Sequence, residues 1–355
     1  MKKLLLLVAF TLISITAANA ATDVKLNLSG DAYWTTDNAQ VGMGERQLTA
    51  TNLFKDRFGT NNVLLSAEAT NEDWKATFSL AHYGAETGIG LNDACASLRL
   101  FDKLWLNAGY FANWDGDYTY NNWFTQSSLT ELMCMASPYV AASLSYDFPK
   151  DITLNVGLMN TASWDNSDAI ENNTSKTFFA KVDWANICKD WGLTVSFLTG
   201  NEESFETSYT RSMSELYLKF GGHCCDNLEG IIEGKLFMKG ETGELESINA
   251  FSAQIMARYH FNDKFSVGAR VGYTADEDAL YLQHQVSGLD AGIVCQYNPV
   301  EYAYLRLEGG LLSLSNSDND TMAEIFKNDD EFSASRLGVA LSMGFNFDLF
   351  SLIHK

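Results

Sequence analysis

The chain has 355 residues, a formal charge of −21, 46% hydrophobic and 13% aromatic residues, and a mean hydropathy of −0.12. So acidic a surface argues against nucleic acid as a partner. Past the first few residues no window is apolar for long enough to cross a bilayer as a helix, so any spanning must be done by strands.

Residues 1–20 combine a basic start (Lys2, Lys3), an apolar run from Leu4 to Ile15 and the small-residue ending Ala18-Asn19-Ala20. This is the pattern of a cleaved secretory signal. Loss of Lys2 and Lys3 with it takes the charge from −21 to −23. Residues 21–355 show no linker, low-complexity tract or composition shift, and are expected to form a single domain.

From Lys25 onward, apolar and polar residues alternate at period two in blocks of about ten residues, roughly 16 of them within a range of about 14 to 18. The first block ends near Trp34 and is followed by a long connection, 37–60. The tight turn Thr70-Asn71-Glu72-Asp73 comes next, then Phe101-Asp102-Lys103, then a long segment at 114–138. Pro149-Lys150-Asp151 is tight again and 161–174 long. Cys188-Lys189-Asp190 is tight and 201–210 longer; Cys224-Cys225-Asp226-Asn227, Asn262-Asp263-Lys264 and Asn298-Pro299 are tight, and 315–331 is long. In the block at 265–274, Phe265, Val267, Ala269, Val271 and Tyr273 form one face, and Ser266, Gly268, Arg270, Gly272 and Thr274 the other. The last block opposes Leu337, Val339, Leu341, Met343, Phe345 and Phe347 to Arg336, Gly338, Ala340, Ser342, Gly344 and Asn346.

Connections sorted by length, with an even strand count, are the pattern of a bacterial outer-membrane barrel with short periplasmic turns and long extracellular loops. Aromatics on the apolar parity strengthen the reading. Tyr146, Phe148, Tyr259, Phe261, Phe265, Phe345 and Phe347 gather at the short-turn ends, and Trp34, Phe251 and Tyr273 near the long-loop ends. Such rings suit the two membrane interfaces. The fold expected is therefore all-β: an integral transmembrane antiparallel barrel in contact with outer-membrane lipid and lipopolysaccharide. A soluble sandwich would alternate as well, but has no reason to sort its turns by length.

The polar parity then faces the lumen. Its principal charge candidates are Lys25, Arg99, Arg258, Arg270, Arg306, Arg336, Glu229, Glu233 and Glu308, with Glu68, Lys75, Lys181, Asp183, Glu215, Lys235 and Asp290 beside them. They can tune ion passage, or pair across strands and fill the interior. The segment 114–138 is too apolar for a loop waving in water. It is expected either to line the inner wall, with Asp115, Asp117, Tyr118, Tyr120, Trp123 and Glu131 at a constriction facing strand arginines, or to cap the outer rim.

Export makes disulfides available: Cys188 with Cys224 or Cys225 between neighbouring turns, and Cys95 with Cys134 if the long segment folds inward. Cys295 falls on the apolar parity as a small hydrophobe. Acidic runs such as Glu202, Glu203, Glu206 and Asp276, Glu277, Asp278 read as solvated loops. No C-x-x-C, paired histidine, glycine-rich cradle or nucleophile–base constellation is present, so no metal, cofactor or catalysis is expected.

The stretches Ser29-Gly30-Asp31-Ala32-Tyr33-Trp34 and Leu104-Trp105-Leu106-Asn107-Ala108-Gly109-Tyr110-Phe111 carry a resemblance, as do 121–129, Ser137-Pro138-Tyr139 and Gly200-Asn201-Glu202. Over residues 28–210 the chain resembles the OmpL-like β-barrel porin family. The resemblance implies fold and compartment more than mechanism. With the charged lumen it leads to the expectation of a porin, passing ions and small hydrophilic solutes passively, narrowed by the 114–138 segment and able to form a homo-oligomer. The alternative is a plugged structural or adhesive barrel acting through its loops.

Overall fold

In the computed structural model, the residues described are 23–37, 57–60, 63–82, 89–111, 123–124, 128–132, 139–160, 176–187, 190–204, 207–221, 227–241, 248–276, 286–315 and 333–349. Strands run in chain order as β1 (Asp23–Asp37), β2 (Arg57–Thr60), β3 (Val63–Thr70), β4 (Trp74–His82), β5 (Ile89–Phe101), β6 (Leu104–Phe111), β7 (Tyr139–Phe148), β8 (Ile152–Met159) and β9 (Thr177–Trp184). They continue as β10 (Gly192–Ser204), β11 (Thr207–Gly221), β12 (Leu228–Glu241), β13 (Ile248–Asn262), β14 (Phe265–Asp276), β15 (Val286–Val300), β16 (Ala303–Ser315) and β17 (Ser333–Asp348). One helical turn, α1 (Leu129–Leu132), stands among them.

Each strand pairs antiparallel with its sequence neighbours, and β17 returns to β1 with Gly30 opposite Phe345 and Asp31 opposite Gly344. β2 and β3 both pair with β1 and share one stave, so the 17 segments form a closed 16-strand barrel. Closure leaves no sheet edge, the condition for satisfying backbone N–H and C=O groups in hydrocarbon. Among the described residues no helix is long and apolar enough to cross a membrane.

The short turns carry their own local chemistry. The Asn71 side-chain oxygen accepts from the amides of Asp73 and Trp74, both at 2.9 Å. The Asn262 oxygen does the same for Lys264 (2.9 Å) and Phe265 (3.0 Å). These are Asx turns, reversing the chain within three residues. Lys150 (φ 68°) and Asp151 (φ 59°) take the left-handed conformation that matches a tight hairpin to strand twist.

Alternation is visible in burial. Along β14, Ser266, Gly268, Arg270, Gly272 and Thr274 are buried inward, while Val271 and Tyr273 are exposed outward. The outward parity forms the apolar belt, with Ile293 56% and Met343 60% exposed. Ring pairs Tyr146–Phe148, Tyr259–Phe261 and Phe345–Phe347, with centroids 4.7, 5.0 and 5.2 Å apart, lie at the short-turn rim, and Phe251–Tyr273 at 5.7 Å lies toward the other.

Two connections read from the sequence as loop contain strand. β10 continues to Ser204 and β11 begins at Thr207, these two being opposite in the register, so 201–210 is the tip of an extended hairpin. β2 likewise occupies the end of the 37–60 connection. Beyond the hydrocarbon both strand faces meet water, so the ladder can continue where polarity no longer alternates. Asp276, read as the start of an acidic loop, is the last residue of β14 and fully buried.

Candidate functional site

Residues 123–124 and 128–132 belong in sequence to the connection between β6 and β7, yet their partners lie about half-way round the barrel, on β11 to β15. Trp123 (6% exposed) and Phe124 (4%) pack with Tyr217, Ile231, Met256 and Val294 in one buried cluster. The guanidinium of Arg258 lies 4.5 Å from the Trp123 ring centroid and that of Arg270 4.6 Å from the Phe124 ring. Polar contacts complete the seat. Ser128 Oγ donates to Gln254 Oε1 (2.8 Å), the Leu129 amide to Asp290 Oδ2 (3.2 Å), and Lys235 Nζ to the Thr130 carbonyl (3.3 Å).

The register gives these contacts a direction. Arg258 is opposite Gly268, Gln254 and Asp290 are both opposite Gly272, and Ser252, opposite Thr274, is also opposite Lys235. The segment thus ascends the wall from the level of Gly268 to that of Thr274, roughly 20 Å at about 3.3 Å per strand residue. It lies lengthwise, and Gly292 leaves room for it: a Cβ there would come within 3.2 Å of Phe124 Cε1.

Behind the segment the wall's charges bind one another. Lys235 and Glu233 form a 2.9 Å ion pair with both side chains fully buried, and Gln254 Nε2 donates to Glu233 Oε2 at 2.6 Å. Arg258 meets Glu229 at 2.6 Å, with His260 on the same carboxylate oxygen at 2.8 Å. Arg270 lies 3.4 Å from Asp290. Arg306 donates to Gln296 Oε1 (2.9 Å) and stacks over Tyr304 (4.5 Å), whose hydroxyl donates to Asp31 Oδ2 (3.3 Å). Glu308 is buried. Removal of charges from water is costly unless geometry and hydrogen bonds compensate, so this half of the lumen is built as a packed interior.

The opposite half differs. On the inner parity Lys25, Glu68 and Lys75 are exposed, and Thr77, Cys95, Ser97, Arg99, Trp105, Asn107, Ser145 and Asn155 partly so. Arg99 pairs with Asp73 at 2.7 Å, and Lys181 with Asp183 at 3.7 Å. Lys75 lies 5.1 Å over the Trp105 ring, whose Nε1–H donates to Asp147 Oδ2 at 3.2 Å. Lys25 is opposite Glu68, Glu68 opposite Thr77, and Lys75 one step further along β4.

Of the constriction candidates, Trp123 is seated on the inner wall and the Glu131 backbone is in α1. Asp115, Asp117, Tyr118 and Tyr120 lie outside the described residues, as do Cys134, Cys188, Cys224 and Cys225. Cys95 and Cys295 are free thiols, and Arg336 is placed by its backbone on β17. The inner-wall apolar patch was missed by a reading tuned to charge. Its signal is the apolar doublet, Ile231-Ile232, Ile255-Met256 and Ile293-Val294, which puts one hydrophobe on the lipid face and another on the lumen face.

No curated protein sequence matches the chain. Among solved structures it is similar to the outer membrane channel DcaP of Acinetobacter baumannii, at 13% identity and TM-score 0.62, with 93% of this chain and 98% of that one covered. It is also similar to the anion-selective porin from Comamonas acidovorans (13%, TM-score 0.59, 92% and 100%) and to a trimer form of OmpT, an outer membrane protein of Vibrio cholerae (10%, TM-score 0.59, 92% and 100%). At such identities these likenesses establish the fold. The pattern of the family described as "Putative beta-barrel porin-2, OmpL-like" matches residues 23–347, nearly the whole chain, and the protein belongs to that family of outer-membrane porins.

Proposed function

We propose that the barrel passes ions and small hydrophilic solutes by passive diffusion, through a bore narrowed by residues 123–124 and 128–130. The observation that supports it is the lengthwise seat of Trp123, Phe124, Ser128, Leu129 and Thr130 on the inner wall, while the opposite wall keeps inward residues of its short-turn half, Lys25, Glu68 and Lys75 among them, exposed to water. Width and the field of wall charges would then do the selecting. No catalytic step is part of this reading. It includes removal of residues 1–20, one barrel domain from residue 21 onward, and a place for Asp115 and Asp117 at the constriction. Loop contact with lipopolysaccharide, and association of copies as in the trimer form of OmpT, belong to the same proposal.

Purified protein refolded into a planar bilayer should give discrete single-channel conductance steps. A well-folded barrel with no conductance would favour the plugged, adhesive alternative. Changing Asp115 and Asp117 to Asn should alter ion selectivity, and unchanged selectivity would remove them from the constriction.

A further inference from the structure

We infer that the conducting path runs off-axis, down the inner face of β1 and β3 to β8, and that its ion-selecting charges are Lys25, Glu68 and Lys75 rather than the arginines of the far wall. The inference rests on the porin reading.

Burial divides the lumen. The inward charges of β11 to β16 are mostly out of water: Arg211, Glu215, Glu233, Lys235, Asp290 and Arg306 are each under 5% exposed, and the exposed Lys219 stands near the short-turn end of β11. Arg258 and Arg270 face aromatic rings of the docked segment and carboxylates of the wall. A permeant ion can exchange hydration only with groups it can reach, and a paired, buried charge presents little net field.

Across the lumen the exposed inward charges are Asp23, Lys25, Glu68 and Lys75, with Asp23 opposite Thr70 and Thr70 opposite Lys75 at the short-turn end. They sit on adjoining staves within one step of register: Lys25 opposite Glu68, Glu68 opposite Thr77, and Lys75 two residues before Thr77. The neighbouring wall carries Arg99, paired with Asp73, and Trp105, bonded to Asp147; the residues that follow them are small and uncharged. Ser97 is opposite Lys75, Asn107 opposite Ser97, and Asn107 Nδ2 donates to Ser145 Oγ at 3.0 Å. Cys95, Gly109 and Ala141 continue it upward. A Cβ on Gly109 would come within 2.5 Å of the Cys95 Cα, so bulk is excluded there by the backbone itself. The solutes that fit such a strip are small and polar, exchanging water for hydroxyl and amide partners, with two ammonium groups (Lys25, Lys75) and two carboxylates (Asp23, Glu68) biasing the ions.

The test is the cation-to-anion permeability ratio, from reversal potentials in asymmetric salt near 0.1 M. There the Debye length of about 10 Å damps acidic loops lying farther off than that while leaving wall charges in reach of the ion. Lys75→Gln and Lys25→Gln should each move the ratio toward cations, and Glu68→Gln toward anions. The expected size is about twofold, the screened Boltzmann factor for a unit charge roughly 6 Å from an ion in water at that ionic strength. Arg306→Gln should leave the ratio where it is. As a second measurement, a charged thiol reagent should reduce the conductance of Lys75→Cys well beyond its effect on the unaltered protein. Arg306→Gln moving the ratio more than the three open-wall variants, or a Lys75→Cys channel indifferent to the reagent, would overturn the assignment. Absence of any conductance in the unaltered protein would overturn the porin reading itself, and this inference with it.

Discussion

Replacing Trp123 and Phe124 together by Ala should release the docked segment and open the bore. Both rings are under 7% exposed and sit in the cluster with Tyr217, Ile231, Met256 and Val294. Truncating a buried aromatic to Ala costs roughly 3–5 kcal/mol, so the pair removes about 6–10 kcal/mol of docking free energy. What remains are the fully buried Leu129 side chain and the hydrogen bonds from Ser128, Leu129 and Lys235. The bonds, one neutral and two involving a charged group, are worth together about 4–7 kcal/mol and the leucine about 1.5–3 kcal/mol. That sum is comparable to the loss, before the entropy of holding the chain against the wall is counted. The geometric consequence follows from barrel dimensions. Sixteen strands spaced about 4.8 Å apart and tilted about 40° enclose a ring roughly 32 Å across, or about 22 Å clear of side chains. A segment about 10 Å thick lying lengthwise against one wall takes about a fifth of that cross-section. Single-channel conductance of the double variant should therefore rise by about a quarter, with the barrel itself intact because ladder hydrogen bonds hold it. Unchanged conductance in a folded double variant would refute the reasoning.

Other consequences can be checked on the scaffold. Gly109 has φ +150° and backbone of β5 within 2.5 Å of any added Cβ, so Gly109→Ala should lower refolding yield and heat resistance on gels, whereas an alanine at Gly90, where the space is open, should not. Ile293→Arg puts a charge on the lipid face near the middle of β15 and should cost about 2–4 kcal/mol in reversible unfolding from bilayers. Lys235→Met would strand the Glu233 carboxylate in the interior and should cost about 3–5 kcal/mol, with Glu233→Gln in the same chain restoring much of it.

The barrel was legible in the sequence because lipid imposes a strict rule: every second residue of a spanning strand must be apolar, as in Leu337, Val339, Leu341 and Met343, while turns such as Asn71-Glu72-Asp73 are cut to fixed chemistry. Where that rule lapses, legibility lapses too, and the hairpin tip at 201–210 reads as loop because Asn201-Glu202-Glu203-Ser204 carries no apolar alternation. The lumen obeys no such rule. A polar residue there can face a channel, like Lys75, or sit in a packed interior, like Arg306, and sequence parity is the same for both. Arg258 and Arg270 read as selectivity charges for this reason; the rings that cover them become visible only when Trp123 and Phe124 are brought against the wall. The apolar doublets at 231–232, 255–256 and 293–294 were the sequence sign that something apolar covers that side.

The two halves of the lumen place opposite demands on a charged side chain, and this constrains how the segment can behave. On the far wall, Glu233, Lys235, Arg270 and Asp290 have given up hydration for one another and for Gln254, the Leu129 amide and the Thr130 carbonyl. Undocking removes two of these protein partners and admits water, so the groups lose fixed contacts but regain solvation, and the electrostatic difference between docked and released states is small. The aromatic pair has no such compensation, because exposing Trp123 and Phe124 to water returns nothing for the apolar area lost. The seat is thus held mainly by hydrophobic burial, while the buried charges set its register, since only one placement satisfies Ser128, Leu129 and Thr130 together. A segment held this way should stay docked across ionic strengths that strongly screen the acidic loops, and the bore should be correspondingly indifferent to salt even where its ion preference is not.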